Sequence, residues 1–199
     1  NSTALAKARL SSDRLRLEDL KVIFSQKPKV VSSAHFGCRI VESQTNGKSD
    51  GMLFLTLGDR YSQMNDAQTL NNHQGKIVRI YKDGRVPDNN PFVKRLGALP
   101  EIWSYGHRNV QGAVLSPDGS LWTHEHGPQG GDEINIIKKG ANFGWPVITY
   151  GINYNNTPIT DKTSMPGMEQ PLHYWVPSIA PSGMEIVTSD LYPNWKGNL

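Results

Sequence analysis

Apolar residues in this chain fall in short runs broken by turn signals. Ala113-Val114-Leu115 and Leu121-Trp122 flank Ser116-Pro117-Asp118-Gly119, which predicts a β-hairpin with an Asp-Gly turn. An earlier stretch echoes it: residues 50–59 match residues 118–127 in an Asp-Gly turn, an apolar pair and a closing glycine. Further strands are predicted at Ile77–Tyr81, running into Asp83-Gly84, and at Ile134–Ile137, running into Gly140. Hairpins recurring at a long period predict an all-β radial or stacked architecture such as a propeller, in which each blade is one antiparallel sheet. A β-sandwich with similar hairpins stays open on pattern alone. The first 25 residues are ambiguous: Ala4–Leu10 has helix-forming composition, whereas Leu15-Arg16-Leu17 alternates like a strand. Residues 61–74 and 86–100 read as loops, and Pro158, Pro166, Pro171, Pro177 and Pro181 argue against central strand across residues 153–182.

Candidate chemistry sits around the clearest hairpin. Gly106-His107-Arg108-Asn109 precedes it, and His126-Gly127-Pro128 followed by Gly131-Asp132-Glu133-Ile134-Asn135 comes after it. A fixed cation, an amide, a turn with free carbonyls and two carboxylates form a kit for holding an anionic ligand together with a hard metal ion. Arg108 and Gly127 lie just outside the two strands, at one end of the hairpin. His107, His124 and His126 lack a thiolate partner and, outside His124 and His126, any motif-like spacing, which argues against zinc. The Gly127–Gly131 stretch is no dinucleotide fingerprint, because the strand, turn and helix arrangement is missing.

From His35 to Tyr154 the chain resembles the soluble pyrroloquinoline-quinone-dependent sugar dehydrogenases, the glucose/sorbosone or aldose dehydrogenase group. Four blocks carry the resemblance: His35–Val41; Leu57-Gly58-Asp59; Gly106–Gly112; and Glu125–Pro128, continuing through Asp132–Asn135 to Asn142-Phe143-Gly144-Trp145-Pro146. Similarity extends through residues 177–183 towards the C-terminus. The resemblance implies a six-bladed β-propeller, of which residues 1–199 form a partial domain of about three blades with no second domain. It implies strand rather than helix at the N-terminus.

The activity implied is oxidation of the anomeric C1 of an aldose to a lactone, with hydride transfer to pyrroloquinoline quinone (PQQ). His35 falls at the family's general base, and Asp59 at the carboxylate that orients it. Arg108 falls where a cation stabilises the reduced cofactor, Arg108 and Asn109 on a quinone-contacting pair, and Tyr154 on an aromatic wall of the cofactor pocket. The carbonyls of Gly127 and Pro128 match calcium ligands beside the quinone, and Glu133 with the carbonyl of Phe143 resembles a second calcium site. Tyr61 departs from the glycine expected there, so Gln63 and Gln68 receive no substrate role. The implied partners are a sugar, an external electron acceptor, PQQ and calcium, in a periplasmic or secreted setting. Two other classes remain beside this one: a non-enzymatic propeller binding module, and a calcium-dependent lactonase with a metal bound chiefly by side chains.

Composition changes the picture little. A formal charge of +3 is spread over dispersed basic residues, which speaks against nucleic acid. No apolar run reaches the length of a membrane span, and no signal peptide is visible in this chain. The single cysteine, Cys38, excludes an internal disulfide. Both ends lack natural punctuation, so the expectation is a middle portion of a longer propeller that turns over little sugar by itself.

Overall fold

In the computed structural model, which describes residues 1–199, ten strands form three antiparallel sheets. β1 (Ala4–Leu10) pairs with β2 (Leu17–Ser25). β3 (Ile40–Thr45), β4 (Lys48–Thr56), β5 (Lys76–Tyr81) and β6 (Ile102–Tyr105) form a four-stranded meander. A second meander contains β7 (Val110–Leu115), β8 (Leu121–Glu125), β9 (Asp132–Ile137) and β10 (His173–Trp175). The first strands of the two meanders, β3 and β7, lie beside each other. These are propeller blades, three in number, the first contributing two strands. No helix is long and apolar enough to cross a membrane.

Packing between neighbouring blades explains why the central strands are apolar on both faces. Leu5 and Phe24 of the first blade meet Leu55, Leu57, Val78 and Ile80 of the second. Phe54 and Ile77 then meet Leu121, Ile137 and Phe143 of the third. Each such side chain contributes about 1.5–3 kcal/mol on full burial. The same demand settles the N-terminal ambiguity. Ala4–Leu10 is strand despite its helix-forming composition, because pairing with β2 satisfies its backbone and inserts Leu5 into the core.

One expected turn moves. The first hairpin turns at Asn46-Gly47, whose φ values of +52° and +71° suit a two-residue mirror-image turn. Asp50 and Gly51 lie inside β4, where the pairing register slips and Gly51 takes φ +79°. What repeats is an Asx turn: Asp50, Asp83 and Asp118 each accept the amide two residues on, from Met52 at 3.1 Å, Arg85 at 3.0 Å and Ser120 at 2.9 Å. That turn forms the hairpin tip at 116–119 and a bulge at 50–52.

Antiparallel order places the starts of β3, β5, β7 and β9 and the ends of β4, β6 and β8 at one end of the blades. The connections at that end carry His35, Asp59, Arg108 and Gly127. After β9 the chain returns to the same end, because Asn142 bridges Tyr105 in parallel at the close of β6. This return delivers Trp145 and Tyr154.

Lys76 opens β5 and is fully buried, its ammonium donating to the carbonyls of Asp66 at 2.9 Å and Ala67 at 3.2 Å. It thereby ties down the 3₁₀ turn at Met64–Gln68. Burial, opposed by Asp66 and Asp59, brings its pKa from 10.5 to about 7. Between those values the unfolded chain binds the extra proton, so this group's contribution is full above 10.5 and is lost as pH falls through 7. Urea unfolding across this range is expected to show stability rising with pH more steeply in the native protein than in Lys76→Met; equal slopes would contradict the assignment.

Candidate active site

The His35 imidazole and the Asp59 carboxylate meet at 2.6 Å, Nδ1 to Oδ1. Asp59 is fully buried and has three side-chain partners: His35, the Tyr61 amide at 2.8 Å on Oδ1, and the Trp145 indole Nε1 at 2.8 Å on Oδ2. A carboxylate only accepts, so Nδ1 of His35 carries a proton, and in the neutral ring Nε2 is the nitrogen with the lone pair. His35 itself has φ +51°, unusual for a residue with a side chain. Gly58 approaches it closely, since a Cβ there would lie 2.2 Å from the His35 carbonyl oxygen. Any other residue at position 58 would push the histidine segment away.

Arg108 sits at the equivalent place in the next blade, ahead of β7. Its backbone carbonyl accepts the Asp59 amide at 2.8 Å, which joins the two blades at the site. Its Nη1 donates to the carbonyls of His126 and Gly127, each at 2.8 Å, and Nη2 reaches the Tyr154 hydroxyl at 3.4 Å. The guanidinium also lies 5.3 Å from the Trp145 ring centre. His35, Asp59, Arg108, Pro128, Trp145 and Tyr154 share the wall of one cavity of about 240 Å³, with Tyr61 and Met64 at its side.

Asn109 stands behind that wall. Its amide oxygen accepts the Gly37 amide at 3.3 Å and Gln111 Nε2 at 2.9 Å, so it braces the histidine segment. Glu133 and Phe143 line a separate chamber of about 10 Å³, together with Glu125, Gly127 and Arg108. Burial, reinforced by Glu125, pushes the Glu133 carboxyl up to about 8. His107 is fully buried between Ser104 and Glu125 and stacks on Phe143. His126 donates from Nε2 to the Pro181 carbonyl at 2.7 Å. Gln68 bonds to Asn142 and to the Trp145 carbonyl at 2.7 Å, so it supports the cavity from outside.

The donor chemistry fits a planar anionic cofactor: a fixed cation, the rings of Tyr61, Trp145 and Tyr154, and a proline gather at one cavity. For a cation, no group of three or more His, Cys, Asp or Glu side chains is placed to hold a metal. Main-chain oxygens would have to serve. The Gly127 carbonyl keeps one lone pair beyond its bond to Arg108, and the small chamber presents two carboxyls, Glu125 and Glu133, whose mutual repulsion a hard cation would relieve.

Blades of this topology, with an imidazole–carboxylate pair and a fixed cation around one cavity at the loop end of the inner strands, define a β-propeller with a polar ligand site. The profile of the glucose/sorbosone dehydrogenase family matches residues 1–199, and the chain belongs to that family. It is 46% identical over 200 residues to the aldose sugar dehydrogenase YliI of Escherichia coli strain K12, an alignment covering 99% of this chain and 52% of that protein. The soluble aldose sugar dehydrogenase from Escherichia coli in its apo-form superposes with a TM-score of 0.91 at 45% identity, covering 98% of this chain and 55% of that one. The PQQ-bound aldose sugar dehydrogenase from Streptomyces coelicolor gives 0.72 at 28% identity, over 92% and 48%. The chain thus spans about half the length of these relatives.

Trp145 was visible in the sequence only as part of a family block, and its bond to Asp59 crosses 86 residues of chain. Trp145→Phe keeps an aromatic ring, though a smaller one, and removes the donor, leaving a buried carboxylate oxygen without its partner. The expected loss is about 1–3 kcal/mol of stability, measured by denaturant unfolding; an unchanged midpoint would show that Oδ2 finds another donor.

Proposed function

We propose that this chain carries part of the active site of a PQQ- and calcium-dependent aldose dehydrogenase, which oxidises the anomeric C1 of the sugar to a lactone. One observation carries the proposal: the free Nε2 belongs to a histidine whose other nitrogen is held by a buried carboxylate, and that histidine shares its cavity with Arg108. His35 takes the proton of the C1 hydroxyl on Nε2, and Asp59 holds the imidazole in the accepting tautomer and stabilises the imidazolium formed. When bound, the quinone supplies the acceptor for the hydride leaving C1, and calcium supplies a Lewis acid.

Arg108 and Tyr154 would hold the cofactor, and Asn109 steadies the wall behind them. The Arg108 guanidinium favours negative charge developing in the cavity. The carbonyls of Gly127 and Pro128 would serve calcium beside the cofactor, and Glu133 with the Phe143 carbonyl a second ion. An external electron acceptor and a periplasmic or secreted location belong to the same proposal. A lactonase with a side-chain metal site finds no such ligand group here. A bare binding module gives no reason for a buried carboxylate on a cavity histidine.

In the quinone- and calcium-loaded protein, His35→Ala is expected to lower the turnover number by roughly 100-fold or more with quinone affinity nearly unchanged. Dye reduction driven by sugar measures the first and calorimetry the second; an undiminished turnover number would return His35 to a structural role. Removing metal with a chelator should abolish sugar oxidation, and calcium with quinone should restore it. Full activity after confirmed metal removal would rule out the calcium requirement.

A further inference from the structure

Asp59 is followed directly by Arg60, whose side chain is also buried, with 1% of its surface exposed. The Arg60 guanidinium donates from Nη1 to the Ala34 carbonyl at 2.7 Å and from Nη2 to the Ser32 carbonyl at 2.6 Å. Nη2 also reaches Asn1 Oδ1 at 3.3 Å, and the guanidinium carbon lies 3.5 Å from the centre of the Phe36 ring. One side chain therefore touches residues 32, 34 and 36, all around His35.

That segment needs such a hold. It runs between β2 and β3 with no strand partner, and His35 sits in the left-handed region that residues with side chains avoid. The Ser32 and Ala34 carbonyls have no ladder to bond with, and the planar fork of an arginine spans both at once. A buried cation among carbonyls is expensive unless it is well bonded and lies near opposite charge, and the neighbouring Asp59 carboxylate supplies that charge. An apolar side chain of similar size would fill this space without such an expense, so the guanidinium is there for what it holds.

Taking His35 as the base, we propose that Arg60 is a positioning residue for it. Asp59 sets the imidazole through its side chain, and Arg60 sets the backbone from which the imidazole hangs. Two adjacent residues thus grip the base at both ends. Lysine does not reproduce this hold, because a point-like ammonium lacks the planar fork that spans the two carbonyls and the flat face that stacks on Phe36.

Nitrogen NMR of protein labelled in its histidine rings reads this without cofactor or sugar. The native protein should show His35 as a single tautomer protonated on Nδ1. Arg60→Lys is expected to lose that resonance as the ring exchanges between positions, while the buried His73 and His107 keep theirs, which separates repositioning from unfolding. Phe36→Leu leaves the cation and removes the ring beside it, and it should disturb the same His35 signal. In the loaded protein, Arg60→Lys should lower the turnover number roughly 10- to 100-fold, the loss typical of a misplaced catalytic group. An unchanged His35 resonance in both variants overturns the proposal. A fully active His35→Ala protein would instead remove the base role and leave the NMR result standing, so the two failures are told apart.

Discussion

A buried carboxylate holds this site together. Asp59 has no contact with water, and an ionised oxygen pair in that position must be met by donors from the protein. Two of those donors come from distant parts of the chain, His35 and Trp145 on the returning connection, and the third is the nearby Tyr61 amide. Its own amide bonds to the Arg108 carbonyl in the next blade. Satisfying one charge therefore draws together segments that sheet pairing alone would leave independent. Asp132 does comparable work in the following blade, where its oxygens accept from Gly127, Ser178, Ile179 and Ala180 and fix the turn whose carbonyls Arg108 holds.

How much of this was legible in the sequence depended on range. The β7–β8 hairpin was readable because Asp118-Gly119 and its flanking apolar pairs lie within ten residues or so of one another. Asp50-Gly51 carried the same letters yet became a bulge, since Asn46-Gly47 offered a tighter mirror-image turn just before it. Ala4–Leu10 has helix-forming composition, and only the family resemblance pointed to the strand that pairs with β2. The gathering of His35, Asp59, Arg108 and Tyr154 came from family resemblance, and spacing alone would not have produced it. The Trp145 and Arg60 contacts were out of reach, because an indole on a distant carboxylate or a guanidinium on loop carbonyls leaves no local pattern.

The two halves of the site occupy matching places in successive blades. His35 precedes β3 as Arg108 precedes β7, and Asp59 follows β4 as Gly127 follows β8. A repeated scaffold thus presents the same two positions twice, and different side chains give them different chemistry. The first set holds a histidine on a buried carboxylate. The second set holds a cation on a turn of carbonyls. Arg108 already rests on those carbonyls, so any ion arriving at the Gly127 oxygen shares it with a guanidinium.

Because each half belongs to its own blade, the distance between them is set by the packing of Phe54 and Ile77 against Leu121, Ile137 and Phe143. This layer acts as a spacer gauge, made of close-packed side chains that transmit a change in volume as a shift of whole sheets. The outer Asx turns at Asp83 and Asp118 lie at the far end of the blades, away from both halves of the site. In the gauge, by contrast, a methylene gained or lost can leave the fold intact while detuning the alignment of proton acceptor and cation. The positions under the tightest evolutionary constraint should therefore include apolar residues that never touch a ligand.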